Sequence, residues 1–176
     1  PDGSYRTRFL REGRGPGEFE SIASMIIENN RIYILGPRLQ KIGIFSLDDY
    51  SLVDDYIINR KGALADSLGT YRASELLSVS EEGEMLVRFK AFSLENPNKQ
   101  RTVPYYWLSE QAEVQPGVVL KQKDTYRYEP AAKTTSSGSF RLPRTMPFSR
   151  SSLMEVYRYT IYTAWTEDFL IKEWDR

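Results

Sequence analysis

Short runs of β-branched and aromatic residues, broken by turn residues every roughly eight to twelve positions, leave this chain little choice but meandering antiparallel sheet. The clearest stretch is FLREGRGPGEFESIASMIIENNRIYILGPRLQKIGIFSLDDYSLVDDYII, residues 9–58. It predicts four strands: Ile22–Ile27, Arg31–Leu35, Gln40–Phe45 and Leu52–Ile58. The turn Glu28-Asn29-Asn30 supplies residues that tolerate the left-handed region, as a tight hairpin requires. Gly36-Pro37-Arg38 offers a glycine for an unusual backbone angle and a proline to preset the next, and Leu47-Asp48-Asp49-Tyr50 makes the third turn.

The rhythm recurs. Glu75–Ser80, Glu84–Ala91, Val103–Leu108 and Val118–Lys121 predict a second four-stranded unit, with a turn at Glu81-Glu82-Gly83 and a polar loop at Leu94–Arg101. A third unit is expected along Ser152–Tyr157, Thr160–Trp165 and Phe169–Trp174, with a turn at Thr166-Glu167-Asp168 and no fourth strand. Between these two, Tyr126–Phe148 is rich in Pro, Ser, Thr and Gly, including KTTSSGS at 133–139. Such composition buries little apolar area, so the segment reads as a long loop carrying short extended pieces. Repeated four-stranded meanders are the mark of a β-propeller, whose blades cannot each hide their own apolar faces and must pack on neighbours. The fold class is therefore all-β: four-stranded blades of an incomplete or truncated six-bladed propeller. One propeller-like region spans 1–176, with blade-like units at about 19–58, 75–121 and 151–176 and a loop-rich segment at 122–150. Three blades do not close a ring, so further sequence is expected before Pro1 and after Arg176.

Two phrases carry a family resemblance. GRGPGEF at 13–19, followed by two strands and RLQKIGIFSLD at 38–48, resembles the bacterial six-bladed propeller proteins of the NHL-like group. Their blades open with a Gly-Pro-Gly-Glu-Phe phrase and close on an Arg-Ile-x-Val-Phe phrase. LPRTMPFSRSSLMEVYRYTIYTAWTEDFLIKEWD at 142–175 resembles another stretch of the same proteins, in which a Pro-Phe lead precedes a Tyr-rich strand pair. Gly36 departs from the family pattern, which often has Asp there, and Tyr157-Arg158-Tyr159-Thr160 replaces a Gly or Asp turn, so an irregular hairpin is expected. The resemblance implies an exported protein, periplasmic or extracellular. It also brings a relative class of calcium-dependent lactonases and lyases, whose sites generally use His with carboxylates.

Composition removes most chemistry. There is no Cys and no His, which excludes disulfides, thiolate nucleophiles, classical zinc sites and any imidazole base. Lys plus Arg equal Asp plus Glu at 24 each, so no net field steers the chain to nucleic acid or an anionic membrane. RNA binding would need Arg127, Arg141, Arg144 and Arg150 to cluster into a basic face, and no nucleic-acid partner is expected. The longest apolar stretches fall far short of the ~20 residues of a membrane helix. No transmembrane segment is expected; the chain opens on Pro1 rather than Met, so a leader could precede it.

Candidate site residues follow from what remains. Gly13, Gly15, Pro16, Gly17 and Phe19 form a structural turn, in which the glycines permit a sharp fold and Phe19 drops between blades as an apolar anchor. A phosphate cradle is rejected there, because the glycine spacing is wrong and strand rather than helix follows. The acidic pairs Asp48-Asp49, Asp54-Asp55 and Glu81-Glu82 read as solvated turns, since neighbours on a strand face opposite ways and do not converge on one ion. No metal or cofactor site and no catalytic residue are assigned. Tyr105, Tyr106 and Trp107, like Tyr157, Tyr159, Tyr162 and Trp165, read as packing between blades, as stacking platforms for a sugar or nucleobase, or as interface anchors. Arg141, Arg144, Met146, Phe148 and Arg150 combine basic and apolar groups in an irregular segment, which suits a docking loop as well as a loop lying along its own propeller. The expected function is a noncatalytic protein-binding or assembly module, for example an accessory subunit on the periplasmic side of a membrane complex. The alternative is a propeller enzyme of the calcium-dependent lactonase or lyase type, its active site outside this chain.

Overall fold

A computed structural model describes residues 7–60, 68–91, 101–124, 152–157, 160–166 and 170–174, with the backbone of short strands at 127–128, 133–135, 138–140 and 144–145. Sheet 1 has the order β1 (Ser24–Glu28), β2 (Arg31–Gly36), β3 (Lys41–Ser46), β4 (Leu52–Ile57). Sheet 2 is β5 (Tyr71–Val79), β6 (Met85–Ala91), β7 (Thr102–Leu108), β8 (Leu120–Lys123). Two short ladders follow. In one, β9 (Arg127–Tyr128) pairs with β12 (Arg144–Thr145); in the other, β10 (Lys133–Thr135) pairs with β11 (Gly138–Phe140). Sheet 3 is β13 (Ser152–Tyr157), β14 (Thr160–Trp165), β15 (Leu170–Trp174). Within the three numbered sheets every neighbouring pair is antiparallel and consecutive, the meander expected of propeller blades.

The turns show why the strands end where they do. Asn29 (φ 51°) and Asn30 (φ 57°) form a two-residue loop between Glu28 and Arg31, the primed geometry that matches strand twist. The next turn differs from the sequence expectation. Gln40 (φ 52°), not Gly36, takes the left-handed angle. Gly36 is needed for space instead, because a Cβ there would sit 2.7 Å from Cδ1 of Phe19. Gln40 is held by its side chain, which donates to the carbonyl of Pro37 (2.7 Å) and that of Ala73 (3.1 Å) and accepts from the Ala73 N–H (2.7 Å). Those bonds extend β5 back to Tyr71, four residues before the expected start. In the third turn, the Ser51 hydroxyl and amide donate to the Asp49 carboxylate, and these bonds hold its pKa below the ordinary range. In sheet 3 the turn residues 158–159, on which the expectation of irregularity rests, lie outside the described residues. The strands flanking them are regular in register from Ser152 opposite Trp165 to Tyr157 opposite Thr160.

Alternation along the strands gives each sheet two faces, and the sheets stack through them. Tyr33, Leu35, Ile42 and Ile44 of sheet 1 meet Leu76, Val87, Phe89 and Tyr106 of sheet 2 in one core, where the Phe89 and Tyr106 rings cross edge-on at 5.6 Å. The opposite face of sheet 2, with Leu86, Val103, Tyr105 and Leu120, packs on Ile161, Met154 and Val156 of sheet 3. Polar ties reinforce the first interface: Asn29 donates to the Ser80 carbonyl, and the Leu76 N–H donates to the Ser24 hydroxyl (2.7 Å).

Because Phe89 is fully buried at the first interface, Phe89→Ala should cost about 3–5 kcal/mol through lost transfer energy and the cavity left behind. Denaturant unfolding followed by tryptophan fluorescence checks this; a loss under ~1 kcal/mol would contradict the stacking of sheets 1 and 2.

Candidate functional site

The glycine-rich segment 13–19 lies on the face of sheet 1 that points away from sheet 2, and a cation beneath it fixes its place. Lys41, with only 3% of its side chain exposed, pairs with Asp55 on the adjacent strand at 2.8 Å. Its ammonium also donates to the Gly15 carbonyl at 2.7 Å and sits 5.0 Å from the centre of the Phe19 ring. Asp55 in turn accepts the Gly17 N–H at 2.6 Å, and Glu18 accepts the Gly15 N–H. A buried charge is tolerated only when fully engaged, and here three groups share it.

Phe19, 5% exposed, lies over Gly36 and Gly43, where a Cβ at either glycine would come within 2.7 Å of the ring. Gly13 (φ 157°) is extended, whereas Gly17 (φ 69°) takes the left-handed angle that lets its N–H point down to Asp55. At the rim, Arg14 pairs with Glu20, which Arg38 approaches at 3.7 Å. With Phe9, Leu10 and Tyr50, the segment closes a small core over Ile32, Ile34 and Phe45. The lock comes from Lys41, which sequence reasoning did not single out, and Asp55, which it named only within an acidic pair. Asp54-Asp55 was read as part of a solvated turn; it lies inside β4, and Asp55 is turned inward. The available signal was a lysine and an aspartate on neighbouring strands, each followed by a large apolar or aromatic residue, Ile42 and Tyr56.

The other named residues divide by location. Tyr105 and Tyr106 are buried on opposite faces of β7, one in each inter-sheet core, and Trp107 is half-buried beside the second. Tyr105 donates to Gln122 at 2.7 Å, and burial raises its phenolic pKa. These side chains are therefore used within the chain. Arg144 is placed only by its backbone, opposite Tyr128. Arg141, Met146, Phe148 and Arg150 lie outside the described residues. Glu81 and Glu82 occupy an exposed turn. Among the described residues, no three carboxylates converge as metal ligands.

Among the described residues, two sheet faces are left open. On sheet 3, Leu153, Ala164 and Ile171 stand opposite one another across all three strands, on the side away from sheet 2. Leu153 is 56% and Ile171 71% exposed, with Tyr157 at 59% on the same face. On sheet 1, Met25 and Ile27, 56% and 52% exposed, border the core that Phe19 closes.

A family model described as a 6-bladed β-propeller matches residues 1–59, the stretch holding the glycine-rich segment and all of sheet 1. The fold is that of a β-propeller. Its blades here are the stacked meanders, and their open outer faces fit an incomplete ring. Among solved structures, the chain is similar to a protein of Bacteroides fragilis NCTC 9343 thought to be exported, at 10% identity and a TM-score of 0.47. That alignment covers 98% of this chain and 63% of the other, so the chain spans less than two thirds of that protein's length. A search of curated proteins found no match.

Lys41→Met should strand Asp55 and cost about 3 kcal/mol, the lower end for breaking a buried pair because Asp55 keeps some exposure. The double change Lys41→Met with Asp55→Leu should recover part of that loss. Urea unfolding of the three proteins gives the answer, and a single variant as stable as the parent would show that the pair does not hold the segment.

Proposed function

We propose that this chain is a noncatalytic binding and assembly module that docks a protein partner through the open face of its third blade. The row Leu153, Ala164 and Ile171, extended by Tyr157, carries the proposal. Large apolar side chains aligned across three strands and exposed to water mark an interaction surface, whereas isolated exposed apolar residues do not. Tyr162, Glu155 and Glu173 share the face and supply the polar groups that set orientation.

The proposed setting is the periplasmic or extracellular side of a bacterial envelope, as an accessory subunit of a membrane-associated complex. It rests on the resemblance of GRGPGEF and the 142–175 segment to exported propeller proteins. No described helix is long and apolar enough to cross a membrane. The Arg- and Pro-rich segment 141–150 belongs to the same proposal as a second contact.

Leu153→Glu combined with Ile171→Glu should weaken the complex with an envelope partner by a factor on the order of ten or more, as expected for apolar anchors at an interface centre. The melting temperature should stay within a few degrees, since neither side chain is buried in the chain. Crosslinking and co-purification at defined stoichiometry read the first effect and thermal melting the second. A parent chain that stays a lone monomer in envelope extract, or a variant that binds equally well, would reject the proposal.

A further inference from the structure

A cleft of about 230 Å³ lies between the edge strand of sheet 2, β8, and the edge strand of sheet 3, β15. It opens between two sheet edges, mainly on the side of sheet 3 that carries Trp165, Lys172 and Trp174, with Ala164 of the apolar row also at its wall. Lys121, Lys123 and Lys172 line it, together with Trp165, Trp174 and Ser152, and among the described residues no carboxylate does. In a chain of zero net charge this is a local concentration of cations.

The walls are tied in place before any ligand arrives. Gln122 accepts from the Tyr105 hydroxyl at 2.7 Å and donates to the Leu153 carbonyl at 3.3 Å, which joins β8 to β13 behind the cleft. The indole N–H of Trp174 donates to the buried Thr163 hydroxyl at 2.8 Å, which orients the ring while leaving the residue 43% exposed. The Lys123 ammonium is held 5.3 Å from the centre of the Trp165 ring. Lys172 stands opposite Thr163 in register, on the same face as Trp165 and Trp174.

We propose that this cleft binds an acidic sugar unit, a pyranose ring bearing a carboxylate, presented by a polysaccharide or oligosaccharide. The electron-rich face of an indole attracts the weakly positive C–H face of a pyranose, and Trp174 offers such a face at the cleft wall. Lys123 and Lys172 provide charge-assisted donors for the carboxylate. Ser152 adds a hydroxyl that can pair with those of the ring. An aromatic acid would use the first two features and leave the hydroxyl unmatched. The open margin lets the rest of a glycan chain run past the site.

Galacturonic-acid oligosaccharides, titrated into the whole chain, should quench tryptophan fluorescence and give saturable heat in calorimetry. Neutral galactose oligosaccharides of equal length should bind at least ~10-fold more weakly, since the lysine contacts are lost. Lys123→Ala with Lys172→Ala should weaken galacturonate binding by ~10-fold or more and flatten its dependence on salt. Trp174→Ala should abolish the quench. If that variant loses the native sheet spectrum in circular dichroism, the lysine pair, which lies at the surface, decides alone. No binding at millimolar galacturonate, equal binding by the lysine variant, or equal binding of poly-glutamate would overturn the proposal; the last outcome would mark the site as one for acidic peptide.

Discussion

The structure depends on a mutual need for cover: each small sheet is apolar on both faces and cannot bury either alone. Sheet 2 shows this most plainly. Along β7, Val103 and Tyr105 turn one way and Tyr106 and Leu108 the other, and both sets are buried because sheets 1 and 3 lie on either side. A two-stranded or single-sheet unit of this size would leave one set in water, which is why blades occur only in stacks. The same constraint explains the open ends. Sheets 1 and 3 each have one neighbour among the described residues, and their outer faces carry the exposed Met25, Ile27, Leu153 and Ile171.

Sheet 1 partly solves the problem with its own chain. Residues 9–19 fold across its outer face, and Phe19 takes the place that a side chain from another sheet would fill. The segment is short and glycine-rich, so apolar contact alone would leave its backbone poorly anchored. Lys41 supplies the anchor by binding a carbonyl, a carboxylate and an aromatic face at once, and the two glycines beneath Phe19 let the ring approach the strands directly. Sheet 3 has no comparable cover among the described residues.

The edges of the stack behave differently from its faces. Between β8 and β15 the sheets part enough to leave a cleft lined by two indoles and three ammonium groups. Backbone pairing within sheets thus yields two kinds of surface among the described residues: flat apolar faces and a narrow cationic margin.

Strand order, blade type and the Asn29-Asn30 hairpin were legible in the sequence, because two-residue alternation and left-handed Asn are local properties of a few adjacent residues. Phe19 was legible as an apolar anchor, but its seat over Gly36 and Gly43 on the outer face of sheet 1, rather than between blades, was not. Tertiary structure alone decided that Gly36 provides space rather than an unusual angle, that Asp55 is an inward partner of Lys41, that Tyr105 and Tyr106 serve two different cores, and that Lys123, Lys172 and Trp174 share one cleft. Each of these depends on which residues from distant stretches come to face one another. Side-chain periodicity says that a strand has two faces, but only the stacking of sheets determines what each face meets.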